Sequence, residues 1–250
     1  MKRIQKIGVI GAGMMGSEIA LAFAMGGYFV SIKDETLEIA ARGKEKMTKS
    51  LEKLIKKGKV PEGDKTKILD GVTPVAAYED LKDADFVIEA VFENLNVKEN
   101  VWAALDKVCQ SNCIFASNTS SISITRLATS VKKERLGLFL GAHFFSPASV
   151  MKLVEVIPGL DTADETVKAV MDLLRSIGKE PIRVKDVVGF AVNRIFHAML
   201  IEACRLLEEE VATPEDIDKA CKLGLGHPMG PYELMDVLNN KLNLEVEEIL

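Results

Sequence analysis

Two side chains on predicted apolar strands could together move a proton. His143 ends one apolar run in the segment Gly-Ala-His-Phe-Phe-Ser-Pro, and Glu155 interrupts a second run twelve residues later. A carboxylate in such a strand is costly to bury without a partner, and His143 is the obvious candidate. A glutamate bound to one ring nitrogen fixes the tautomer, leaves the other nitrogen as a base and stabilises the imidazolium. The pair therefore predicts general acid–base chemistry.

The chain has only three histidines, and the other two receive no role. His197 lies in a core-like helical segment and His227 in a Pro-Gly turn. Taken alone, His143 is more readily interpreted as an ordinary strand-end histidine with satisfied hydrogen bonds. Its acidic partner, and a nucleotide-binding loop earlier in the chain, favour the catalytic interpretation.

That loop is the first glycine-rich segment of the chain. Gly11, Gly13 and Gly16 form a G-x-G-x-x-G pattern between a predicted strand and a predicted helix, and Asp34 follows the next predicted strand. Such glycines allow a tight turn, close approach of a pyrophosphate, and close packing of helix on strand. An acid at position 34 would accept hydrogen bonds from ribose hydroxyls and repel a 2′-phosphate, which predicts NAD as cofactor. A glycine-rich turn in another parallel α/β protein is the alternative.

Short apolar runs alternate with helical patterns up to about residue 184. This predicts an α/β fold of Rossmann type, with a doubly wound, mostly parallel sheet. The later runs are Phe86–Val91, Cys113–Ser117, Leu138–Phe144, Leu153–Ile157 and Pro181–Val184, and the predicted helices include Ser17–Met25, Val97–Val108 and Asp164–Ile177. After Asp186 only helical patterns follow, one from Gly189 to Glu210 and one capped by Thr213. We therefore predict an NAD-binding domain at 1–184 and a small all-helical domain at 185–250.

The composition is that of an ordinary globular protein. The 250 residues are 48% hydrophobic and 28% charged, and the net charge of −5 gives no general case for nucleic-acid binding. No apolar run is long enough to span a bilayer, and the first strand begins too near Met1 to leave room for a targeting peptide. Four cysteines without metal-ligand spacing suit a reducing compartment. We expect a cytoplasmic protein with no metal, disulfide, nucleic acid or membrane partner.

Residues 44–59 form a strongly basic segment with seven lysines and two glutamates. On a helix, four residues share one apolar stripe, namely Met47, Leu51, Leu54 and Ile55, and most of the lysines lie on the opposite face. A lysine-rich face is most often simply solvated. So much positive charge on one short helix also repels itself, and a polyanionic ligand would relieve that repulsion. The residues alone leave both interpretations open.

The chain resembles the L-3-hydroxyacyl-CoA dehydrogenases, of the short-chain 3-hydroxybutyryl-CoA type. The matching segments occur in the family's order along nearly the whole chain. They are Gly11–Gly16, Val91–Lys98, Ser117–Ser121, His143–Pro147, Val150–Val156, Asp186–Arg194 and His227–Pro231.

The resemblance implies catalytic roles for four residues. His143 would take the hydroxyl proton as hydride leaves C3 for the nicotinamide of NAD, with Glu155 orienting and polarising it. Ser120 and Asn193 would bind the reacting oxygens of the substrate. Without the resemblance, Ser120 is an ordinary turn residue, and Asn193 could cap backbone groups at the start of its helix.

The resemblance also implies the residues that bind cofactor and substrate. Glu93 and Lys98 would lie near the ribose and nicotinamide, although by themselves they suggest a helix-start acid and a surface lysine. Ser50 and Lys57 match positions that contact coenzyme A in the family, as Ser120 contacts the acyl-CoA substrate, which favours the polyanion interpretation of the lysine helix. The expected cofactor-binding residues are Gly11, Gly13, Met14, Met15, Gly16, Asp34, Glu93, Lys98, Ser120 and Ser146.

The match departs from the family's pattern in three places. The family usually has Asn at position 146 and Pro at 149, whereas this chain has Ser146 and Ser149. We therefore expect a nicotinamide-side hydrogen bond to be lost or water-bridged and the turn to be less rigid. Residues 135–141 are slightly longer than the family's approach to its histidine, and a change of register there would move His143. The chain stops at Leu250, where the family continues with further helices, so the second domain is expected to be shortened.

Three functions remain open from the sequence. The first is an NAD-dependent oxidoreductase acting on short-chain 3-hydroxyacyl-CoA thioesters, expected as a homodimer. The second is a related dehydrogenase of a free 3-hydroxy acid or a sugar acid, which would need no basic surface for coenzyme A. The third is a non-catalytic homologue that binds NAD without turnover.

Overall fold

Eight short strands form one sheet in the computed structural model, which describes residues 4–237 of the chain. In chain order they are β1 Lys6–Ile10, β2 Phe29–Lys33, β3 Val72–Val75, β4 Phe86–Glu89, β5 Ile114–Ser117, β6 Phe139–Phe144, β7 Leu153–Pro158 and β8 Glu180–Arg183. Across the sheet the order is β3-β2-β1-β4-β5-β6-β7-β8. Only the β6–β7 pair of this sheet is antiparallel. The predicted doubly wound, mostly parallel α/β fold is confirmed.

Helices separate the strands and continue after the last one. They are α1 Met14–Met25, α2 Leu37–Lys56, α3 Lys65–Asp70, α4 Leu95–Val108, α5 Ile124–Ala128, α6 Asp164–Ser176, α7 Val192–Glu208, α8 Pro214–Gly224 and α9 Pro231–Val237. The chain divides into two compact units, Met1–Asp186 and Val187–Leu250. Within residues 4–237, no helix combines the length and the apolar character needed to cross a bilayer.

The antiparallel pairing of β6 with β7 determines which side chains meet. Its register sets His143 directly opposite Glu155, with Ala142 opposite Val156 on one side and Phe144 opposite Val154 on the other. Directly opposed residues point to the same face of the sheet, with their Cβ atoms about 5 Å apart. Residues 133–138 form a 3-10 helix before β6 begins, and His143 keeps its pairing with Glu155, so the change of register considered for residues 135–141 does not separate the pair.

The core of the first unit lies between the sheet and its helices. Helix α1 is buried along most of its length, and Phe23 packs against Phe86 and Phe144 with ring centroids 5.9 and 6.3 Å apart. The predicted apolar stripe of α2 faces the core, because Met47, Leu51 and Leu54 are buried and Ile55 is half-buried against them.

Several element boundaries differ from the sequence prediction. Strand β3 was not predicted, because Thr73 and Pro74 break its apolar character; as an edge strand it tolerates the proline. Helix α1 begins at Met14 rather than Ser17, directly after the glycine loop. Helix α7 begins at Val192 rather than Gly189, because residues 189 and 190 both have positive φ.

The second unit is helical in its described part, α7 to α9. Thr213 accepts the backbone amide of Asp216 and so caps α8, as the sequence predicts. The carboxylate of Asp218 accepts the amides of Tyr232 and Glu233 at 2.8 and 3.0 Å, which anchors the start of α9. The part of the predicted 185–250 domain from residue 238 onwards, including Leu250, lies outside the described residues.

In the first unit, the contact between α1 and the glycine loop should be the point most sensitive to substitution. A Cβ on Gly16 would lie 1.7 Å from the carbonyl oxygen of Gly11, whereas a Cβ on Gly13 would meet nothing within 4 Å. We expect Gly16→Ala to lower the free energy of unfolding by about 1–3 kcal/mol, because the helix must move off the loop. The matched variant Gly13→Ala should stay within about 1 kcal/mol of wild type. Urea unfolding followed by fluorescence of Trp102, the single tryptophan, measures both, and equal losses would contradict the prediction.

Candidate active site

A buried histidine lies between a carboxylate and a hydroxyl at the carboxyl end of β6. His143 Nδ1 lies 2.8 Å from Glu155 Oε2, and His143 Nε2 lies 3.0 Å from Ser120 Oγ. Both His143 and Glu155 are buried. Because a carboxylate can only accept, the Nδ1 atom carries the proton in the neutral ring, and the Nε2 lone pair faces Ser120. This arrangement can remove a proton from a hydroxyl and return it.

Ser120 lies on the loop that follows β5, and a single carboxylate holds that loop. Glu93 Oε1 accepts the Thr119 hydroxyl at 2.5 Å, the Ser120 amide at 2.9 Å and the Ser121 amide at 3.0 Å. The Ser121 hydroxyl donates to the same oxygen at 3.0 Å. The structure thus brings the predicted residues Glu93, Ser120 and His143 into one hydrogen-bonded network.

Lys98 is fully buried, so its interpretation as a surface lysine is wrong. Its ammonium lies 2.6 Å from Glu89 Oε1 and 3.2 Å from Glu93 Oε2, and the side chains of Lys98 and Glu89 are both 0% exposed. Glu89 also accepts the hydroxyl of Ser117 and the amide of Val91, at 2.7 and 2.8 Å. The lysine therefore bridges two carboxylates next to the loop of Ser120, and the negative charges of these carboxylates stabilise its ammonium group.

The pKa of Glu93 is held below its usual 4.5. Burial by itself would raise that pKa, but the nearby Lys98 ammonium and the donors of Thr119, Ser120 and Ser121 outweigh burial. Glu93 is therefore ionised at neutral pH and contributes stability in that form.

The glycine loop and Asp34 meet at the carboxyl ends of β1 and β2. Asp34 Oδ2 accepts the Ala12 amide at 2.6 Å, and its Oδ1 accepts the Glu35 amide at 2.7 Å. Gly11 has φ of +94°, and a Cβ there would lie 2.6 Å from the carbonyl oxygen of Ala90. The space beside Gly13 is open, next to the N-terminus of the twelve-residue α1. Open space, free amides and an acid at the next strand end fit a dinucleotide whose pyrophosphate lies against the loop.

Other predicted cofactor residues lie on the surface near these elements. Met14 is exposed and Met15 half-buried in the first turn of α1. Ser146 is exposed in the turn after β6. Buried side chains bind the next residues of that turn: Glu18 binds Ser149, and Lys179 binds the carbonyl oxygens of Ala148 and Met151.

The basic face predicted for residues 44–59 is present on α2. Lys46, Lys49, Lys53, Lys56 and Lys57 are exposed, with Ser50 half-buried among them. Lys44 is not part of this face, because its ammonium donates to the Val72 carbonyl at 2.7 Å. The face can bind a polyanion.

Asn193 belongs to the second unit, in the first turn of α7, where it is half-buried. His197 is buried one turn further along the same helix. Within residues 4–237, no group of three or more His, Cys, Asp or Glu side chains is arranged to hold a metal ion.

Sequence reasoning missed Glu89, although the signal that identified Glu155 was available for it. Both are single carboxylates inside apolar strands, Phe-Val-Ile-Glu in β4 and Leu-Val-Glu-Val in β7. Glu18 is similar, because it is the only charged residue of α1 and is 9% exposed. A single carboxylate in an apolar strand or helix, the signal that identified Glu155, would therefore also have identified Glu89 and Glu18.

Comparison with known proteins places these motifs in one family. Residues 6–187 match the model of the 3-hydroxyacyl-CoA dehydrogenase NAD binding domain, and residues 189–250 match that of the family's C-terminal domain. A 3-hydroxybutyryl-CoA dehydrogenase of Clostridioides difficile is 43% identical over 98% of this chain and 86% of its own length. Mitochondrial hydroxyacyl-coenzyme A dehydrogenase of Sus scrofa is 42% identical, covering 93% of this chain and 76% of its own. The crystal structure of (S)-3-hydroxybutyryl-CoA dehydrogenase from Ralstonia eutropha superposes with a TM-score of 0.94 at 43% identity, covering 99% and 87% of the two chains.

The lowered pKa of Glu93 predicts a specific loss of stability in acid. A carboxylate whose pKa is depressed by folding contributes stability above its unfolded value of 4.5, and this contribution is lost as the pH falls toward the folded value. At pH 7 we expect Glu93→Gln to lower the free energy of unfolding by about 1–3 kcal/mol, since buried donors lose a charged acceptor. Below pH 4.5 the difference from wild type should shrink.

Urea unfolding between about pH 3 and pH 7, a range on both sides of the unfolded carboxyl pKa of 4.5, measures this difference. Glu134→Gln, which removes an exposed carboxylate from the 3-10 helix before β6, is the matched control and should follow wild type. A Glu93→Gln difference that is constant over the whole pH range would contradict the prediction.

Proposed function

The chain belongs to the 3-hydroxyacyl-CoA dehydrogenase family and is an NAD-dependent oxidoreductase, and on that premise we propose how it works on short-chain 3-hydroxyacyl-CoA thioesters. The proposed reaction interconverts 3-hydroxybutyryl-CoA and acetoacetyl-CoA. NAD, when bound, accepts the hydride from C3 of the substrate. The observation that carries the mechanism is the position of His143, 3.0 Å from Ser120 Oγ and 2.8 Å from Glu155 Oε2.

His143 is the proposed general base. Its Nε2 lone pair takes the proton of the C3 hydroxyl as the C3–H bond breaks, and in the reverse direction Nε2–H returns that proton to the carbonyl oxygen. Glu155 accepts from Nδ1–H throughout, so it stabilises the imidazolium formed in the forward step. Because Glu155 is buried and lies on the adjacent strand, it also prevents the ring from rotating away.

Ser120 and Asn193 are the proposed substrate-positioning residues. The Ser120 hydroxyl, already 3.0 Å from Nε2, is placed to bind the reacting oxygen beside the base. Asn193 takes the corresponding role from the start of α7 in the resemblance to the family, and it is half-buried there. Holding the reacting atoms in one geometry supplies much of the rate enhancement of such enzymes.

The proposed cofactor site runs from the glycine loop to the turn after β6. The loop and helix start that would hold the pyrophosphate comprise Gly11, Gly13, Met14, Met15 and Gly16, and the open space at Gly13 would allow its close approach to the backbone. Asp34 retains lone pairs for the adenosine ribose hydroxyls while it accepts two amides. Glu93, Lys98, Ser120 and Ser146 are the proposed contacts on the nicotinamide side. Because Lys98 is 0% exposed, it would act there chiefly through Glu93.

The exposed lysines of α2 favour a coenzyme A thioester over a free hydroxy acid or sugar acid. Ser50 and Lys57 lie at that surface, where the phosphates of coenzyme A would meet several ammonium groups. A free acid needs no such surface. Inhibition by free coenzyme A, absent for a free-acid enzyme, separates the two.

We also propose a homodimer. In the described part of the second unit, large apolar side chains are exposed on and between the helices: Ile195, Ile201, Leu207, Val211, Leu223 and Leu225. An apolar surface of this kind is typical of an interface between subunits. The cytoplasmic location expected from the sequence stays a prediction.

Substitution of the base tests the mechanism directly. We expect His143→Ala to lower kcat for NADH-dependent reduction of acetoacetyl-CoA by about 10²–10⁴-fold, with NADH binding retained. Glu155→Gln should also lower kcat, since a neutral amide no longer stabilises the imidazolium. His227→Ala is the matched control and should keep wild-type activity. An active His143→Ala variant would exclude the proposed base, and wild-type protein that binds NADH without turnover would identify a non-catalytic homologue.

Cofactor preference tests Asp34. We expect NADH to be used at least about tenfold better than NADPH, because the Asp34 carboxylate repels a 2′-phosphate. Asp34→Asn keeps a hydrogen-bond acceptor for the Ala12 amide but removes the charge, so the preference should fall. Glu38→Gln, in the first turn of α2, is the control. Initial rates at varied NADH and NADPH measure the ratio, and an unchanged ratio in Asp34→Asn would contradict the proposal.

A further inference from the structure

Two buried charged side chains bind the turn that follows the catalytic histidine. The turn comprises residues 145–152, between β6 and β7, and it carries Ser146. Glu18 reaches it from α1, and Lys179 reaches it from the residue before β8. Neither side chain has a role in the mechanism above.

Glu18 binds the turn through Ser149. Its Oε2 atom accepts the Ser149 hydroxyl and also the Ser149 amide, the latter at 3.2 Å. Glu18 is 9% exposed and lies among the otherwise apolar buried residues of α1. A charge in such a place is retained only where it is hydrogen-bonded, and two donors from one residue supply those bonds.

Lys179 binds the same turn at its backbone. Its ammonium donates to the carbonyl oxygens of Ala148 and Met151, at 2.6 and 2.8 Å. Burial lowers the pKa of Lys179, and the neighbouring Glu18 opposes that shift. Ser149 therefore lies between two anchored residues, and the positions of Ala148, Ser149 and Met151 are all determined by buried charges.

The expectation of a less rigid turn took no account of these tertiary contacts, and it stays a prediction. A proline at position 149 would stiffen the backbone but could donate neither a hydroxyl nor an amide proton to Glu18. In this chain, tertiary contacts from Glu18 and Lys179 hold the turn instead.

The contact between Glu18 and Ser149 joins the glycine-loop side of the site to the turn after His143. Glu18 lies about one helical turn into α1, which begins at Met14 directly after the glycine loop. Ser149 lies six residues after His143. In the sheet, β1 and β6 are separated by β4 and β5. The contact therefore adds a direct connection between α1, which follows the glycine loop, and the turn of residues 145–152.

We propose that the Glu18–Ser149 contact is a positioning device that holds the Ser146 turn at a defined distance from the glycine loop. It thereby sets the nicotinamide side of the cofactor pocket while leaving the proton-transfer residues unchanged. The inference rests on the proposed function, because it takes the pocket between these elements as the NAD site.

A double-mutant cycle tests the contact. Ser149→Ala removes the hydroxyl donor, and Glu18→Ala removes the acceptor of both bonds. We expect Ser149→Ala to weaken NADH binding about tenfold in a fluorescence titration, the effect of one hydrogen bond to a charged group, and Glu18→Ala, which removes both bonds, to weaken it at least as much. KM for NADH should rise similarly, with little change in KM for acetoacetyl-CoA. The double variant should bind NADH no more weakly than the Glu18→Ala variant, because both single changes act on one contact.

Three comparisons keep the test specific. Ser149→Thr retains a hydroxyl and should bind NADH like wild type. Ser176→Ala, which removes the hydroxyl bond between α6 and Tyr28, is the matched serine control and should also leave NADH binding unchanged. Unfolding followed by Trp102 fluorescence shows whether each variant is folded.

The proposal is overturned if Ser149→Ala binds NADH as wild type does, if the two single effects add in the double variant, or if only the unfolding midpoint changes. The titration needs no turnover, so it remains informative when the proposed function fails. Wild-type protein that binds NADH but does not reduce acetoacetyl-CoA would refute the function and leave the contact testable.

Discussion

His143 and Glu155 occupy directly opposed positions in the antiparallel pair of β6 and β7, and the rest of the site is arranged around that pairing. A shift of one residue in register would turn Glu155 to the opposite face of the sheet and leave two buried polar groups without each other. The parallel pairing of β5 with β6 then brings the loop of Ser120 to Nε2 of the ring. The apolar strands therefore hold this hydrogen-bonded pair away from water.

A second set of buried charged side chains holds the loop of Ser120 through hydrogen bonds and ion pairs. Glu89, Lys98 and Glu93 form a chain from β4 through α4 to residues 119–121. Buried charges are costly unless each has a partner, and here each carboxylate meets the lysine and further donors. Together with the contact between Glu18 and Ser149, this connects the polar loops of the site to helices and strands of the first unit. Such support keeps reacting groups within a narrow range of geometries.

The sequence predicted those parts of the site whose physics is local. One contiguous segment contains β1, the glycine loop, α1, β2 and Asp34. Its glycines and apolar runs identify these elements without knowledge of distant residues. The pairing of His143 with Glu155 was also inferred, because a lone carboxylate in an apolar strand requires a partner. Strand β3 was missed because Thr73 and Pro74 hide its apolar character. Lys98 was assigned to the surface because nothing adjacent in sequence shows that Glu89 faces it.

By itself, then, the sequence determined the Rossmann-type fold, the glycine loop and the pairing of His143 with Glu155. Hydrophobic periodicity and glycine placement act over a few residues, so they can be read along the chain. Tertiary structure alone decided that Lys98 is buried between Glu89 and Glu93, and that Ser149 is held by Glu18 from a helix 131 residues earlier. Those contacts depend on strand order and on the desolvation of specific charges, and both arise only when distant segments of the chain pack together.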